Sequence, residues 1–270
     1  MNYHFISSVN DGVDYIEFVP VFIDTLYKMF PNRCSITIYY CGDELPSSLL
    51  EYPEVKLWEA DGQNTRFLSQ WVRMLMCPLI GNDNDINIIC DIDLLPLRDF
   101  INDVIGGIKP EVIQDRIMNF GKLSVEEIQK LKEVPMCWTF GTRECWEKCL
   151  DIHSEDEAKL ILKEQYTPND SPHGYDWSSD QKYLFKHIGK YGIIIPRDKF
   201  FDRMDRLQPL GEVEKGIIRK HGMVDYHMPR PYTKHKILVD KVLDFAIVHS
   251  TSSPLVRSSS VSELDTSNDL

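Results

Sequence analysis

Apolar and polar residues alternate in blocks along the first hundred residues, and each block has the period of a strand or of a helix. Apolar runs rich in β-branched and aromatic residues predict strands at 3–9, 35–40, 55–58 and 86–90. Strands that alternate with helices predict an α/β fold with a mostly parallel sheet, whose ligands bind at the carboxyl ends of the strands. Two intervening helices have apolar faces, one formed by Ile16, Val19, Ile23, Leu26, Tyr27 and Phe30 and the other, within 65–77, by Phe67, Leu68, Trp71, Val72, Leu75 and Met76.

The pattern is less regular after residue 100. Pieces rich in turn residues around a charged helix at 124–132 predict a helical insertion at 106–135, and the Ser-rich segment 250–270 predicts a flexible tail. Ser178 is expected to cap a helix that carries Asp180 in its first turn. The remaining predicted elements are a strand at 135–140, a helix after Gly141, helices at 155–164 and 178–188, a loop at 166–176 and a strand at 191–195.

Composition narrows the possible partners. The 270-residue chain has a formal net charge of −12, which argues against nucleic acid because phosphate binding needs a surplus of Lys and Arg. No apolar run approaches the roughly 20 residues of a membrane span, and the first residues lack a secretory signal pattern, so we expect a cytoplasmic protein with no integral membrane segment. The seven cysteines are expected to be reduced and packed; a metal site from Cys137, Cys145 and Cys149 is the weaker alternative.

The candidate chemistry lies where the apolar strand 86–90 ends in Asp91-Ile92-Asp93. Side chains two apart in a strand point to the same side, so the two carboxylates are expected to lie close together. Like charges this close are unfavourable unless water or a cation lies between them. A solvated Asp-rich turn is the simple alternative, but carboxylates behind a buried strand favour Mn²⁺ or Mg²⁺, which combine a few carboxylates with phosphate oxygens.

The segment CDIDLLPL, preceded by the helix TRFLSQWVRMLMCPLI, resembles the nucleotide-sugar-binding half of GT-A glycosyltransferases, nearest to the glycogenin-like and galactosyltransferase-like retaining enzymes. The resemblance implies a Rossmann-like GT-A domain over 1–249, with a donor half at about 1–100 and an acceptor half at about 101–249. It implies that Asp91 and Asp93 hold a divalent metal on the diphosphate of the donor, with Asp91 shared with the ribose and Ile92 beside the nucleotide.

Other segments fit the same family order. Ser7, Ser8, Val9 and Asn10 occupy the position that holds the nucleoside, and Arg73 or Arg66 the position of a donor-binding arginine. The segment YDWSSDQKYL resembles the Asp-Gln segment that faces the transferred sugar, which makes Asp180 and Gln181 the candidate catalytic residues. The segment WTFGTREC implies that Gly141 and Thr142 line the donor sugar. The segment VDYHMPRPYTKH implies His227 as a third metal ligand, in competition with His221 and His235, and Arg230 or Lys234 as a phosphate contact.

These features predict a metal-dependent hexosyltransferase that moves a sugar from a nucleotide-diphosphate sugar, UDP-linked by family resemblance, to a carbohydrate or other hydroxyl acceptor. The Asp-Gln segment favours retention, while inversion would need Asp180 or another acid to deprotonate the acceptor. A sugar-nucleotide nucleotidyltransferase is the nearest alternative, although 7–13 lacks the basic, Gly-rich loop of that class. A non-catalytic metal- or carbohydrate-binding module is the other alternative.

Overall fold

The computed structural model describes residues 2–83, 85–105, 110–120, 123–195, 202–206, 211 and 223–252. Seven of its strands form a central sheet in the order β3-β2-β1-β4-β7-β6-β8. These strands are β1 (Tyr3–Asn10), β2 (Cys34–Gly42), β3 (Val55–Glu59), β4 (Ile86–Ile89), β6 (Ile117–Asn119), β7 (Thr139–Thr142) and β8 (Gly192–Ile194).

Helices connect these strands and cover both faces of the sheet. One face packs against a cluster that includes Phe5 and Ile88, and the other against a cluster that includes Ile6 and Ile89, because neighbouring residues of a strand point to opposite faces. The helices are α1 (Val13–Ile16), α2 (Phe18–Met29), α3 (Thr65–Leu75), α4 (Phe100–Ile105), α5 (Pro110–Asp115), α6 (Val125–Leu131), α7 (Arg143–Leu150), α8 (Glu155–Gln165), α9 (Ser179–Ile188) and α10 (Tyr232–Ser252).

The sheet is mixed but mostly parallel, as predicted. Strand β1 runs parallel to both β2 and β4, and β3 and β8 are parallel to their own neighbours. Strand β7 alone runs antiparallel to its neighbours β4 and β6. The carboxyl ends of β1, β2, β3 and β4 therefore meet at one edge of the sheet, which is the edge where the Asp91–Asp93 segment begins.

A second, three-stranded sheet lies beyond this edge and was not predicted. It contains β5 (Leu94–Pro96), β10 (Met223–His227) and β9 (Asp202–Asp205), in that order. Strand β10 pairs antiparallel with β5, and the pairing places His227 opposite Leu94. The N–H of Met228 donates to the carbonyl of Asp93 at 2.8 Å. Two segments separated by more than 120 residues in the chain therefore meet at the aspartate pair.

The first hundred residues otherwise follow the hydrophobic pattern closely. The first helix is interrupted at Glu17, and Pro20 lies in the first turn of α2, where a missing N–H is tolerated. Tyr27 is the exception on the predicted apolar face: its ring is 42% exposed, and its hydroxyl donates to Glu54 at 2.8 Å. All six predicted apolar positions of α3 are buried.

Three predictions for the middle of the chain need correction. The segment 106–135 contains the expected charged helix as α6, but it also supplies β6 to the central sheet, so it is more than a helical insertion. The strand predicted at 135–140 begins only at Thr139, because Trp138 has a left-handed φ of +58°. The N–H of Trp138 still donates to the carbonyl of Ile89 at 2.9 Å, and its carbonyl accepts from the N–H of Phe120 at 3.0 Å. Ser178 precedes α9 as expected, but its hydroxyl donates to Glu133 at 2.7 Å and makes no cap bond.

The C-terminal part is helical to Ser252, so helix α10 extends into the first residues of the predicted tail. The rest of that tail lies outside the described residues. All seven cysteines are free thiols. Within the ranges given above, no helix combines the length and the apolar character that a membrane span requires.

Candidate active site

Asp91 and Asp93 lie in the turn between β4 and β5, just beyond the carboxyl edge of the central sheet. Strand β4 ends at Ile89, and the N–H of Leu94 donates to the carbonyl of Asp91 at 3.1 Å. The strand alternation that was expected to align the two carboxylates therefore does not extend to them. Their environments differ: the Asp91 side chain is 41% exposed, whereas that of Asp93 is 7% exposed.

Arg73 of helix α3 is the partner of Asp91. Its buried guanidinium forms an ion pair with the carboxylate and also donates to the carbonyl of Cys90 at 3.2 Å. Burial alone would raise the pKa of the Asp91 carboxyl, but the charge and hydrogen bond of Arg73 outweigh that effect and hold the pKa below its usual value. Asp91 is therefore ionised and its orientation is fixed.

Asp180, in the first turn of α9, is 2% exposed, and its Oδ1 has no hydrogen-bond partner among the residues that the structure describes. Burial raises the pKa of its carboxyl to about 7; the charge of Arg73 opposes this rise and that of Asp91 adds to it. Helix α9 is held against α3 by a hydrogen bond from the indole of Trp71 to the hydroxyl of Ser179 at 3.0 Å. Arg73 therefore lies within electrostatic reach of two carboxylates from different parts of the chain.

Asp93 is surrounded by groups from β10 and the segment after it. Its Oδ2 lies 3.3 Å from Nε2 of His227 and 3.6 Å from Nε of Arg230. Arg230 in turn donates to the hydroxyl of Tyr15, and its Cζ lies 4.9 Å from the centre of the Tyr15 ring. The first helix of the chain and the segment after β10 therefore meet each other beside Asp93.

Two further arginines of this region were missed in the sequence. Arg203 of β9 makes a two-point ion pair with the buried Asp225, at 3.0 and 3.1 Å, and Asp225 also accepts the indole N–H of Trp138 at 2.6 Å. The charge of Arg203 contributes to the low pKa of Asp91. Arg206 lies 3.0 Å from Nε2 of His227. No local pattern marks either arginine, because both reach the site only through the pairing of β9 with β10.

The predicted nucleoside segment lies at the carboxyl edge of the sheet, and three of its side chains make hydrogen bonds within the protein. The Ser7 hydroxyl donates to the carbonyl of Cys90 at 3.0 Å, and the Ser8 hydroxyl donates to the carbonyl of Ser69. Val9 is buried, and Asn10, at the last position of β1, accepts from the N–H of Gly12 at 3.3 Å. The two serines tie β1 to Cys90 and to helix α3.

Gly141 and Thr142 do not join this group. Gly141 lies inside β7 opposite Asn87, and a Cβ there would come within 3.2 Å of Ile117 Cγ1. The glycine therefore serves the close packing of β6 against β7. Thr142 is buried and accepts from the N–H of Cys145 at 3.2 Å, which caps α7.

The remaining predicted site residues differ in their exposure to solvent. Arg66 is exposed in the first turn of α3, and its charge acts on the buried Tyr175 hydroxyl. Ile92 is buried between the two aspartates, and Gln181, next to Asp180, is half-buried. Lys234 is exposed and His235 half-buried in the first turn of α10, whereas His221 lies outside the described residues.

A divalent ion fits the donors beside Asp93. Within the described ranges, no group of three or more His, Cys, Asp or Glu side chains is already arranged to hold a metal. Neighbouring ligands of an octahedral ion with bonds of about 2.1 Å lie about 3 Å apart, close to the 3.3 Å between Asp93 Oδ2 and His227 Nε2. Carboxylate and imidazole are also donors that suit Mn²⁺.

Comparison of the structure with solved structures identifies the fold. The galactosyltransferase LgtC, solved in complex with donor and acceptor sugar analogs, superposes with a TM-score of 0.50 at 13% sequence identity, covering 94% of this chain and 98% of that chain. The chain has the GT-A fold. This confirms the fold expected from the CDIDLLPL segment and from the mixed, mostly parallel sheet.

Other structures with similarity to this GT-A chain are also glycosyltransferases. Mouse xyloside xylosyltransferase 1 matches with a TM-score of 0.43 at 9% identity, over 84% of this chain and 97% of that chain. GlyE of Streptococcus pneumoniae matches with a TM-score of 0.41 at 11% identity, over 72% of this chain and 45% of that chain. No protein-family model matches the sequence, and a comparison with curated protein sequences finds no match.

Proposed function

We propose that the chain is a metal-dependent glycosyltransferase that moves a sugar from a nucleotide-diphosphate sugar, UDP-linked, to a hydroxyl group of a carbohydrate or similar acceptor. The observation that carries this proposal is the meeting of Asp91, Asp93, His227 and Asp180 with several arginines at the carboxyl edge of a GT-A sheet. Although the chain has a net charge of −12, four arginines lie at this edge, and guanidinium groups suit an anionic donor.

Asp93, His227 and the exposed edge of Asp91 are the proposed holders of Mn²⁺ or Mg²⁺. When bound, the ion supplies positive charge against the negative charge that builds up on the departing nucleoside diphosphate. Arg73 fixes the rotamer of Asp91 through their ion pair and keeps the carboxyl ionised. We therefore assign Arg73 a positioning role in place of the direct donor contact expected from the sequence, and leave that contact to Arg66.

The proposed donor cleft is bounded on one side by β1 and on the other by the segment after β10. Val9 and Asn10 end β1 and would contact the nucleoside, with Ile92 beneath it. Arg230 lies 3.6 Å from Asp93 and would move little to reach a diphosphate held there, and the exposed Lys234 would reach the same group from the first turn of α10. Because of its packing inside β7, we do not include Gly141 in the donor site.

Asp180 and Gln181 are the proposed residues at the transferred sugar. The unpartnered Oδ1 of Asp180 is a buried acceptor that a sugar hydroxyl would satisfy. A solved mutant of LgtC carries glutamate in place of an active-site glutamine, which supports a role for Gln181. Retention is proposed from the resemblance of the segment YDWSSDQKYL to the Asp-Gln segment of retaining enzymes. Burial raises the pKa of Asp180 to about 7, which makes its carboxylate a stronger base than an ordinary aspartate, so inversion with Asp180 as the base is the alternative that the configuration of the product tests. The seven free thiols support a cytoplasmic location.

Incubation with a panel of nucleotide sugars and Mn²⁺ tests the proposal directly. We expect slow release of free nucleoside diphosphate without acceptor, faster release with the correct acceptor, and loss of both with EDTA. NMR of the product should show the anomeric configuration of the donor retained. Release of pyrophosphate would identify a nucleotidyltransferase instead, and binding without any release would identify a non-catalytic module.

A further inference from the structure

The contact between Arg206 and His227 has no role in the function proposed so far. Nη2 of Arg206 lies 3.0 Å from Nε2 of His227. A guanidinium can only donate hydrogen bonds, so in this contact Nε2 of His227 is the acceptor. Nε2 therefore presents the lone pair that a metal ligand needs.

The same nitrogen also faces the carboxylate of Asp93, with Oδ2 at 3.3 Å. When Nε2 accepts from Arg206, it has no hydrogen to give to Asp93, so two electron-rich atoms stand side by side. Such an arrangement is favourable only when a positive charge lies close to both atoms. In the structure that charge comes from guanidinium groups: Arg206 on the imidazole and Arg230 at 3.6 Å from the carboxylate.

Arg206 differs from the other arginines around the site in its partners. Arg73, Arg203 and Arg230 each face a carboxylate, that of Asp91, Asp225 or Asp93. Within the part of the chain that the structure describes, the guanidinium of Arg206 contacts an imidazole and no carboxylate. Arg206 therefore has the weakest hydrogen-bond acceptor among the four arginines, and its guanidinium is the easiest of the four to displace.

The backbone of Arg206 is fixed independently of its side chain. Its φ is +33°, an unfavourable value for a residue with a Cβ. The strained position is held by a hydrogen bond from its N–H to the carbonyl of His227 at 2.8 Å and by one from the Tyr226 hydroxyl to its own carbonyl at 3.1 Å. The guanidinium can consequently leave His227 by rotamer changes while the backbone stays beside the site.

We propose that Arg206 occupies the place of the divalent cation in the metal-free protein, and that the cation displaces it and frees it to bind the diphosphate of the donor. The inference rests on the proposed function, because it assumes that Asp93 and His227 hold the cation. Arg206 is then a diphosphate-binding residue, and binding of the cation is coupled to binding of the diphosphate. The cation must break the Arg206–His227 contact when it binds alone, whereas with a diphosphate present the displaced guanidinium gains a new partner.

Mn²⁺ binding without nucleotide, measured from the EPR signal of free Mn²⁺, tests this link without any activity assay. Removal of one charged hydrogen bond that competes with the metal should tighten Mn²⁺ binding by about tenfold in Arg206→Ala. Arg206→Gly should behave alike and accepts the positive φ without strain. Arg206→Lys keeps a competing cation and should stay near the wild-type affinity. Lys148→Ala, at an exposed position of α7, controls for the loss of one positive charge.

The second measurement adds UDP. In the wild type, UDP should tighten Mn²⁺ binding, and in Arg206→Ala this coupling should be several-fold smaller. Equal Mn²⁺ affinity of the wild type, Arg206→Ala and Arg206→Gly would overturn the inference while leaving the proposed metal site intact. If His227→Ala binds Mn²⁺ as well as the wild type, or if the wild type binds none, the metal site itself is wrong and the inference falls with it.

Discussion

The guanidinium of Arg73 pairs with the carboxylate of Asp91 and ties helix α3 to the turn that follows β4. Arg73 is buried and also lies within electrostatic reach of Asp180, so one cation organises two carboxylates of the site. From the sequence, Arg73 or Arg66 is expected to bind the donor. In the structure Arg73 contacts Asp91 and lies near Asp180, so it acts on the charge of both carboxylates and on the orientation of Asp91.

Loss of this pair should weaken both folding and metal binding. Arg73→Ala leaves the Asp91 carboxylate without its main counter-charge, so we expect a loss of about 2 kcal/mol in the free energy of unfolding, less than for a fully buried pair because Asp91 is 41% exposed. Urea unfolding measures this loss. The double variant Arg73→Ala/Asp91→Asn should recover part of it, and a double variant less stable than the single one would contradict the pairing argument.

Asp93 should be essential to turnover and nearly neutral for folding. Asp93→Asn keeps the shape of the side chain but removes the charge that would hold the metal, so we expect donor hydrolysis to fall by about 100-fold or more. Asp83→Asn is the matched control, since Asp83 precedes the same strand but its side chain is 80% exposed and pairs only with Arg143 at the surface. Undiminished activity of Asp93→Asn with added Mn²⁺ would refute the metal assignment.

The raised pKa of Asp180 has a consequence for stability against pH. The folded state binds this proton up to about pH 7, whereas an unfolded Asp releases it near pH 4, so the contribution of Asp180 to stability should fall as pH rises from about 4 to 7. Asp180→Asn removes that dependence. Urea unfolding of both proteins between pH 4 and 8 should show the wild type losing stability relative to the variant as pH rises; parallel curves would disprove the shift.

Substitution of Tyr175 should leave the stability of the fold unchanged while it weakens donor binding. Its ring is 1% exposed, yet its hydroxyl has no hydrogen-bond partner among the described residues. Tyr175→Phe therefore removes no internal hydrogen bond, and the free energy of unfolding should stay within about 1 kcal/mol of the wild type or rise.

The same hydroxyl lies within electrostatic reach of Asp180 and Arg66, beside the proposed sugar position. We therefore expect Tyr175→Phe to raise the KM for the nucleotide sugar severalfold while Tm is unchanged. A drop in Tm with unchanged KM would show that the hydroxyl is instead a structural group. Tyr183→Phe, whose ring packs against Trp71 with the ring centres 5.0 Å apart, is a suitable control for the loss of one phenol of this helix.

The sequence alone determined the first four strands, helices α2 and α3, and the place of the aspartate pair, because each rests on a local period. Apolar runs with the repeat of a strand or a helix can bury a face only in one way, and a carboxylate at the end of a buried strand must emerge at the sheet edge. The segment around Trp138 shows the limit of this reasoning. Its apolar run has the composition of a strand, but a left-handed Trp delays β7 to Thr139.

Only the tertiary structure decided which side chains surround Asp91 and Asp93. The second sheet joins β5 to β10 across more than 120 residues, and its pairing selects His227 rather than His235 as the imidazole beside Asp93. The same pairing brings in Arg203 and Arg206, which no motif marks. Such contacts depend on strand register between distant segments, and register is set by the packing of the whole core rather than by any local sequence period.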